Sequence, residues 1–202
     1  MRRVLFGLIS KGLAFTKPTP TFLPAVAIVW VDPAQVQRRL RRDARIKHWG
    51  SASPSPVSLI GGDWDFAATD IPVNQNFEAC YQRFVEGQPW QAISKYQQLL
   101  DHIKQGGTVD GCKTESEFEQ RYRRIDRMYE TIRNERTLRT RDVESLRVCI
   151  ARDGDVIHCG GGGHRLAISK VLKLHQIPVI VSVIHPEAIT ALQKSRSQHR
   201  GD

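Results

Sequence analysis

The sequence predicts an α+β fold, a mixed β-sheet interrupted by a block of helices. Three observations predict it. Residues 25–31 (AVAIVWV) and 177–184 (IPVIVSVI) are short apolar, β-branched runs of the kind that form buried strands. Residues 146–159, divided by Arg152-Asp153-Gly154-Asp155, form a β-hairpin pattern, because Asp-Gly supplies the positive φ angles of a tight turn. Between these strands, residues 66–141 carry aromatic and aliphatic side chains every three or four positions, the period of helices with one buried face.

The elements follow in order. Residues 1–24 are read as an N-terminal extension and linker, with Pro18, Pro20 and Pro24 keeping residues 16–24 extended. The opening MRRVLFGLIS has the start of a signal peptide, but Lys11 interrupts its apolar run and no clean cleavage pattern follows. After the first strand, Asp32-Pro33 suits a helix start, with Val36, Leu40 and Ala44 on one side and Arg38, Arg39, Arg41, Arg42, Arg45 and Lys47 on the rest. GGDWD, at 61–65, marks a tight turn. Three helices follow. The first buries Phe77, Tyr81, Phe84 and Val85 and ends at Gly87. Pro89 opens the second, which carries Trp90, Ile93, Tyr96, Leu100 and Ile103. The third begins at the capping box Thr114-x-x-Glu117 and buries Phe118, Tyr122, Ile125, Tyr129 and Ile132. The domain is read as residues 25–188, with the helices as an insertion at about 66–141 and a basic tail at 189–202.

Composition bounds the function classes. The chain has 202 residues, 40% hydrophobic and 25% charged, as in an ordinary globular protein. Its 30 Lys+Arg against 21 Asp+Glu give a formal net charge of +9, which favours anionic partners. No apolar stretch is long enough to span a bilayer. Cys80, Cys112, Cys149 and Cys159 form no C-x-x-C pair and no disulfide ladder, so they are read as reduced thiols of a cytoplasmic protein.

The candidate site lies where the second hairpin strand meets the next helix. Gly160, Gly161, Gly162 and Gly163 are followed by His164 and Arg165, which open a helix running to about Lys173. A helix start has unpaired N–H groups and a partial positive charge. Glycines let an anion approach the backbone closely. Arg165 offers a bidentate grip on phosphate, and His164 adds a donor. Asp63 and Asp65 are the candidate catalytic acids, as a general base or as Mg²⁺ ligands on a bound nucleotide. His158, Cys159 and His164 match no standard zinc spacing, and no metal site is assigned.

Residues 148–185, VCIARDGDVIHCGGGGHRLAISKVLKLHQIPVIVSVIH, resemble the ParB/sulfiredoxin-like fold: an Asp-Gly turn, a Gly-x-x-Arg helix start and an I-P-V strand. VWVDPAQV at 29–36 is similar to that domain's first strand and helix. The resemblance implies a mixed sheet with a helical insertion and a nucleotide, ATP or CTP, on Gly162, Gly163, His164 and Arg165. In ParB proteins the corresponding Gly-Glu-Arg-Arg segment binds CTP phosphates. In sulfiredoxin Gly-Gly-Cys-His-Arg binds ATP and supplies a cysteine, and a related free-serine kinase uses ADP. Here Gly163 occupies the positions of the sulfiredoxin cysteine and the ParB glutamate, and His164 that of the first ParB arginine. Sulfinate reduction is therefore not expected. Nor is sequence-specific partition-site binding, since no helix-turn-helix region follows. The expected function is nucleotide phosphate binding, with NTP hydrolysis or phosphoryl transfer as the candidate reactions. The alternative is a non-catalytic nucleic-acid-binding module using the arginine-rich helices, with nuclease activity third because no dense acidic cluster is present.

Overall fold

The computed structural model describes residues 28–49, 57–70, 75–139 and 146–189. Helices and a seven-stranded mixed sheet make up these residues, which is the α+β class the sequence predicts. They divide into two compact units. One takes the described residues of Met1–Ile71, Arg139–Gly162 and His175–Asp202; the other takes those of Pro72–Leu138 and Gly163–Leu174.

The first unit is built on the sheet. Its strands are β1 (Ile28–Val31), β2 (Arg38–Arg39), β3 (Ser58–Leu59), β4 (Thr69–Asp70), β5 (Arg147–Ile150), β6 (Val156–His158) and β7 (Ile177–Ile184), and its helix is α1 (Arg42–Trp49). The order is β1-β7-β5-β6-β2-β4, with β3 pairing to β7 off that path. β7 is buried at all but one of its eight positions, as its continuous β-branched run requires. It pairs antiparallel with β1 and parallel with both β5 and β3. β5 and β6 form the expected hairpin, with Gly154 at φ +87° in the turn. Trp64 lies at the centre of the core, with Leu40, Cys149, Ile157, Cys159 and Val183 around it, and Trp49 of α1 meets Trp64 edge to face at 5.5 Å.

The helix expected from Pro33 does not form as one piece. Asp32 caps the backbone as expected, accepting from the Ala34 N–H, but it opens only a 3-10 turn, Pro33–Gln35. The chain then enters β2, and α1 starts at Arg42. Tertiary pairing overrides local preference here. Arg38 and Arg39 align with Ile157 and His158 of β6, the Leu40 N–H donates to the His158 carbonyl, and the Arg38 guanidinium donates to the carbonyls of Asp65 and Ala68.

The second unit is helical: α2 (Gln75–Phe84), α3 (Ser94–Lys104), α4 (Glu115–Glu135) and α5 (Gly163–Val171). The Thr114–Glu117 capping box starts α4, and Phe118, Tyr122, Ile125, Tyr129 and Ile132 are all buried, as their spacing predicts. Aromatic rings fill the interior, with Phe84 stacked on Tyr129 at 3.9 Å and Tyr96 edge-on to Tyr122 at 4.6 Å. α5 packs against α2 and α4. Two expectations change. Tyr81 and Val85 are exposed, because α2 turns the small Ala79 and Cys80 inward and ends at Phe84. After Pro89 comes a 3-10 turn, Trp90–Ala92, before α3 begins at Ser94.

Candidate functional site

The boundary between the two units falls between Gly162 and Gly163, inside the glycine run. In the sheet unit the glycines serve close packing. A methyl group on Gly160 would lie 2.7 Å from Arg147 Cβ, and one on Gly162, at φ +78°, would lie 2.9 Å from Leu146 Cα. The carbonyl of Gly161 is held by His158 Nε2 at 2.8 Å. Cys149 and Cys159 form a disulfide, which corrects the expectation of four reduced thiols and removes that ground for a cytoplasmic setting. Antiparallel pairing of β5 with β6 brings the two sulfurs together, a proximity that the ten-residue separation does not announce. Cys80 and Cys112 are free and buried. His158 thus holds a backbone carbonyl, and Cys159 is spent in the disulfide. Among the described residues no group of three or more His, Cys, Asp or Glu side chains suits a metal ion.

Asp63 and Asp65 come together on Arg152. The guanidinium donates to Asp65 at 2.9 Å through both Nε and Nη2, to Asp63 at 3.0 Å and to the Gly62 carbonyl, and it lies over the Phe66 ring. Asp65 is buried, and its second interaction is with the Arg152 backbone N–H. Burial pushes its carboxyl up, but the hydrogen bonds from Arg152 outweigh burial and hold it below the usual range. A carboxylate so engaged is a weak base and has little capacity left for Mg²⁺. His185 completes this cluster: its ring meets the Gly62 carbonyl and accepts from the Glu187 N–H.

In the helical unit, Gly163, His164 and Arg165 form the first turn of α5. A methyl group on Gly163 would lie 2.7 Å from Asn76 Nδ2 of α2. The Lys95 ammonium of α3 donates to Asn76 Oδ1. The His164 ring lies edge to face with Tyr122 of α4, centroids 6.2 Å apart. Burial and then the positive charges of Arg121 and Lys95 push the His164 imidazole down to about 4, so it is neutral at pH 7. Burial likewise raises the Tyr122 phenol, which remains a donor.

Three polar groups in this cluster have no hydrogen-bond partner. The Nε–H of Arg121 is buried and unpaired, while the same guanidinium bridges Asp110 at 2.8 Å. Among the described residues, neither the Tyr122 hydroxyl nor the His164 ring makes a hydrogen bond, although Tyr122 is only 4% exposed. Of these three, the Arg121 Nε–H is the buried atom without a partner, and such atoms are rare enough to require an explanation. Lys95, Arg121 and Tyr122 did not figure among the residues expected for the site. Tyr122 reads as core by its spacing, Arg121 reads as surface, and no spacing rule ties either to residue 164.

Compared with known proteins, the chain matches no family model, no curated protein and no solved structure. Among the described residues no helix is long and apolar enough to cross a membrane.

Proposed function

We propose that the chain is a ParB/sulfiredoxin-like protein that binds the phosphate group of a nucleotide, ATP or CTP, at the first turn of α5. The observation that carries this reading is the buried, unpaired Arg121 Nε–H, beside the edge-to-face Tyr122–His164 pair at a helix N-terminus, with the charges of Arg121 and Lys95 acting on His164. A phosphate oxygen accepts from such groups, and the helix dipole and two cationic side chains offset its charge. The reading is one of binding. Asp65 is committed to Arg152 and Asp63 lies exposed beside it, so no general base for phosphoryl transfer is assigned and no step is routed through Mg²⁺.

The test is thermal shift and calorimetry with ATP, CTP, ADP and inorganic phosphate, each with and without Mg²⁺. Saturation at 100 times Kd stabilises the protein by about 2.7 kcal/mol. Tyr122→Phe removes only a hydroxyl, and Arg121→Gln removes the orphan donor and the charge; both should weaken binding about ten-fold. Binding that is absent, or equally tight in both variants, refutes the reading.

A second reading, nucleic-acid binding, draws on Arg124 and Arg127, which stand exposed on α4 with no ion pair among the described residues. Salt-sensitive DNA or RNA binding without any nucleotide response would favour it.

A further inference from the structure

One face of the sheet is left partly uncovered at its β1 edge. Burial alternates along β1: Val29 and Val31 are buried, while Ile28 and Trp30 are 42% and 45% exposed. Residues directly opposite one another in a ladder share a face. Ile28 stands opposite Ile180 of β7, and Ile180 stands opposite Arg147 of β5, so all three share the face that presents Trp30. Ile180 is the one position of β7 that is not buried. All of these residues belong to the sheet unit.

Arg147 brings charge to this face. Its stem lies along the glycine turn: a Cβ on Gly160 would stand 2.7, 3.2 and 3.3 Å from the Cβ, Cγ and Cδ of Arg147. Among the described residues its guanidinium has no ion pair, and its hydrogen bond to Ser182 Oγ is long, at 3.5 Å. β1, β5 and β7 contain no Asp or Glu. Asp153 and Asp155, in the hairpin turn, follow the opposite end of β5. Two strand spacings across and two residues along put the Cα atoms of Trp30 and Arg147 about 12 Å apart. Their long side chains close that distance to the span of one nucleotide.

This combination of an exposed indole, an aliphatic neighbour and a cation without a counter-charge selects the occupant. A purely apolar partner would cover Trp30 and desolvate the guanidinium without offering it an anion. A strand of unpaired nucleotides supplies both a flat ring and a phosphate, and the net charge of +9 favours a polyanion. A duplex keeps its base faces stacked on one another and offers none to the indole. We propose that this face binds single-stranded nucleic acid, with one base stacked on Trp30 beside Ile28 and the adjoining phosphodiester paired with Arg147. The site uses neither the first turn of α5 nor Arg124 and Arg127.

Fluorescence anisotropy with a labelled oligothymidylate of about ten nucleotides tests this on the full chain. The expected result is saturable binding with Kd on the order of 10 μM. Trp30→Ala should weaken it about ten-fold, and Trp30→Phe, which keeps a ring, about two-fold. Arg147→Gln should weaken it about five-fold and lower the slope of log K against log salt by about 0.7. Circular dichroism of each variant confirms that it is folded. An abasic strand of the same length should bind the parent about ten-fold more weakly, and any binding of the duplex should not respond to Trp30→Ala. Equal binding by the parent and Trp30→Ala, an abasic strand that binds as tightly, or dTMP that binds as tightly as the oligonucleotide would each overturn the assignment. So would a dimer that is dispersed by Trp30→Ala and binds no oligonucleotide, since β1 would then serve a second copy of the chain. Binding lost in Arg124→Gln/Arg127→Gln but unchanged in Trp30→Ala would overturn this site and assign the nucleic acid to α4 instead. Titrations with inorganic phosphate should be the same for the parent and Trp30→Ala, which separates this face from the first turn of α5.

Discussion

Protonating His164 should cost the folded protein stability, and the structure sets the size and the pH window. Its imidazole has an ordinary value of 6.5 and is pushed down to about 4, chiefly by burial and then by Arg121 and Lys95. Above pH 6.5 both the folded and unfolded chains hold it neutral, and the effect is absent. As pH falls from 6.5 towards 4, the unfolded chain takes up a proton that the folded chain refuses, so stability declines across that window. The interval is about 2.5 pH units at about 1.36 kcal/mol each, giving a ceiling of about 3 kcal/mol, reached below pH 4. Urea denaturation of the parent and His164→Gln at a series of pH values isolates this contribution, because the carboxylates titrate alike in both. The variant should gain on the parent steadily as pH falls from 7 to 4, by up to about 3 kcal/mol. A difference that stays constant over this range would refute the burial of the imidazole under the positive charges of Arg121 and Lys95. Repeating the series in phosphate should shrink the gap, because a bound anion stabilises the imidazolium.

Three further outcomes follow from particular contacts. Arg152→Ala leaves the buried Asp65 carboxylate without its partner and should lower Tm by about 5 °C or more, with part of the loss recovered in Asp65→Ala/Arg152→Ala; differential scanning calorimetry reads both. Gly162→Ala forces a side chain into φ +78° and against the Leu146 backbone, and should cost about 2 kcal/mol in urea unfolding, whereas the same change at the open Gly154 turn meets only the φ penalty of about 1 kcal/mol. Reducing Cys149–Cys159, which closes a loop with a ten-residue separation, should destabilise the sheet unit by about 3 kcal/mol; Cys149→Ala/Cys159→Ala should match the reduced protein and ignore dithiothreitol.

Elements whose stability is local could be read from the sequence. The Thr114 capping box, the Asp-Gly turn of the hairpin and the unbroken apolar run of β7 each carry their cause within a few residues, and each stands as expected. The failures are places where distant residues decide. Arg38 and Arg39 lie in a strand because β6 and the carbonyls of Asp65 and Ala68 claim them, which no helical periodicity can anticipate. The disulfide depends on strand register. At the candidate site, a helix start at His164 was legible to within one residue, because a glycine run before a His-Arg pair is a local pattern. The unpaired Arg121 Nε and the Tyr122 hydroxyl were not, since they come from another helix and take their meaning only from what surrounds them.

The place of β7 in the chain also shapes how the protein is made. β1, β3 and β5 all hydrogen-bond to it, yet all three precede it in sequence. During synthesis they leave the ribosome with their shared partner still untranslated, their edges open to any other extended chain. The sheet can close only once residues 177–184 emerge.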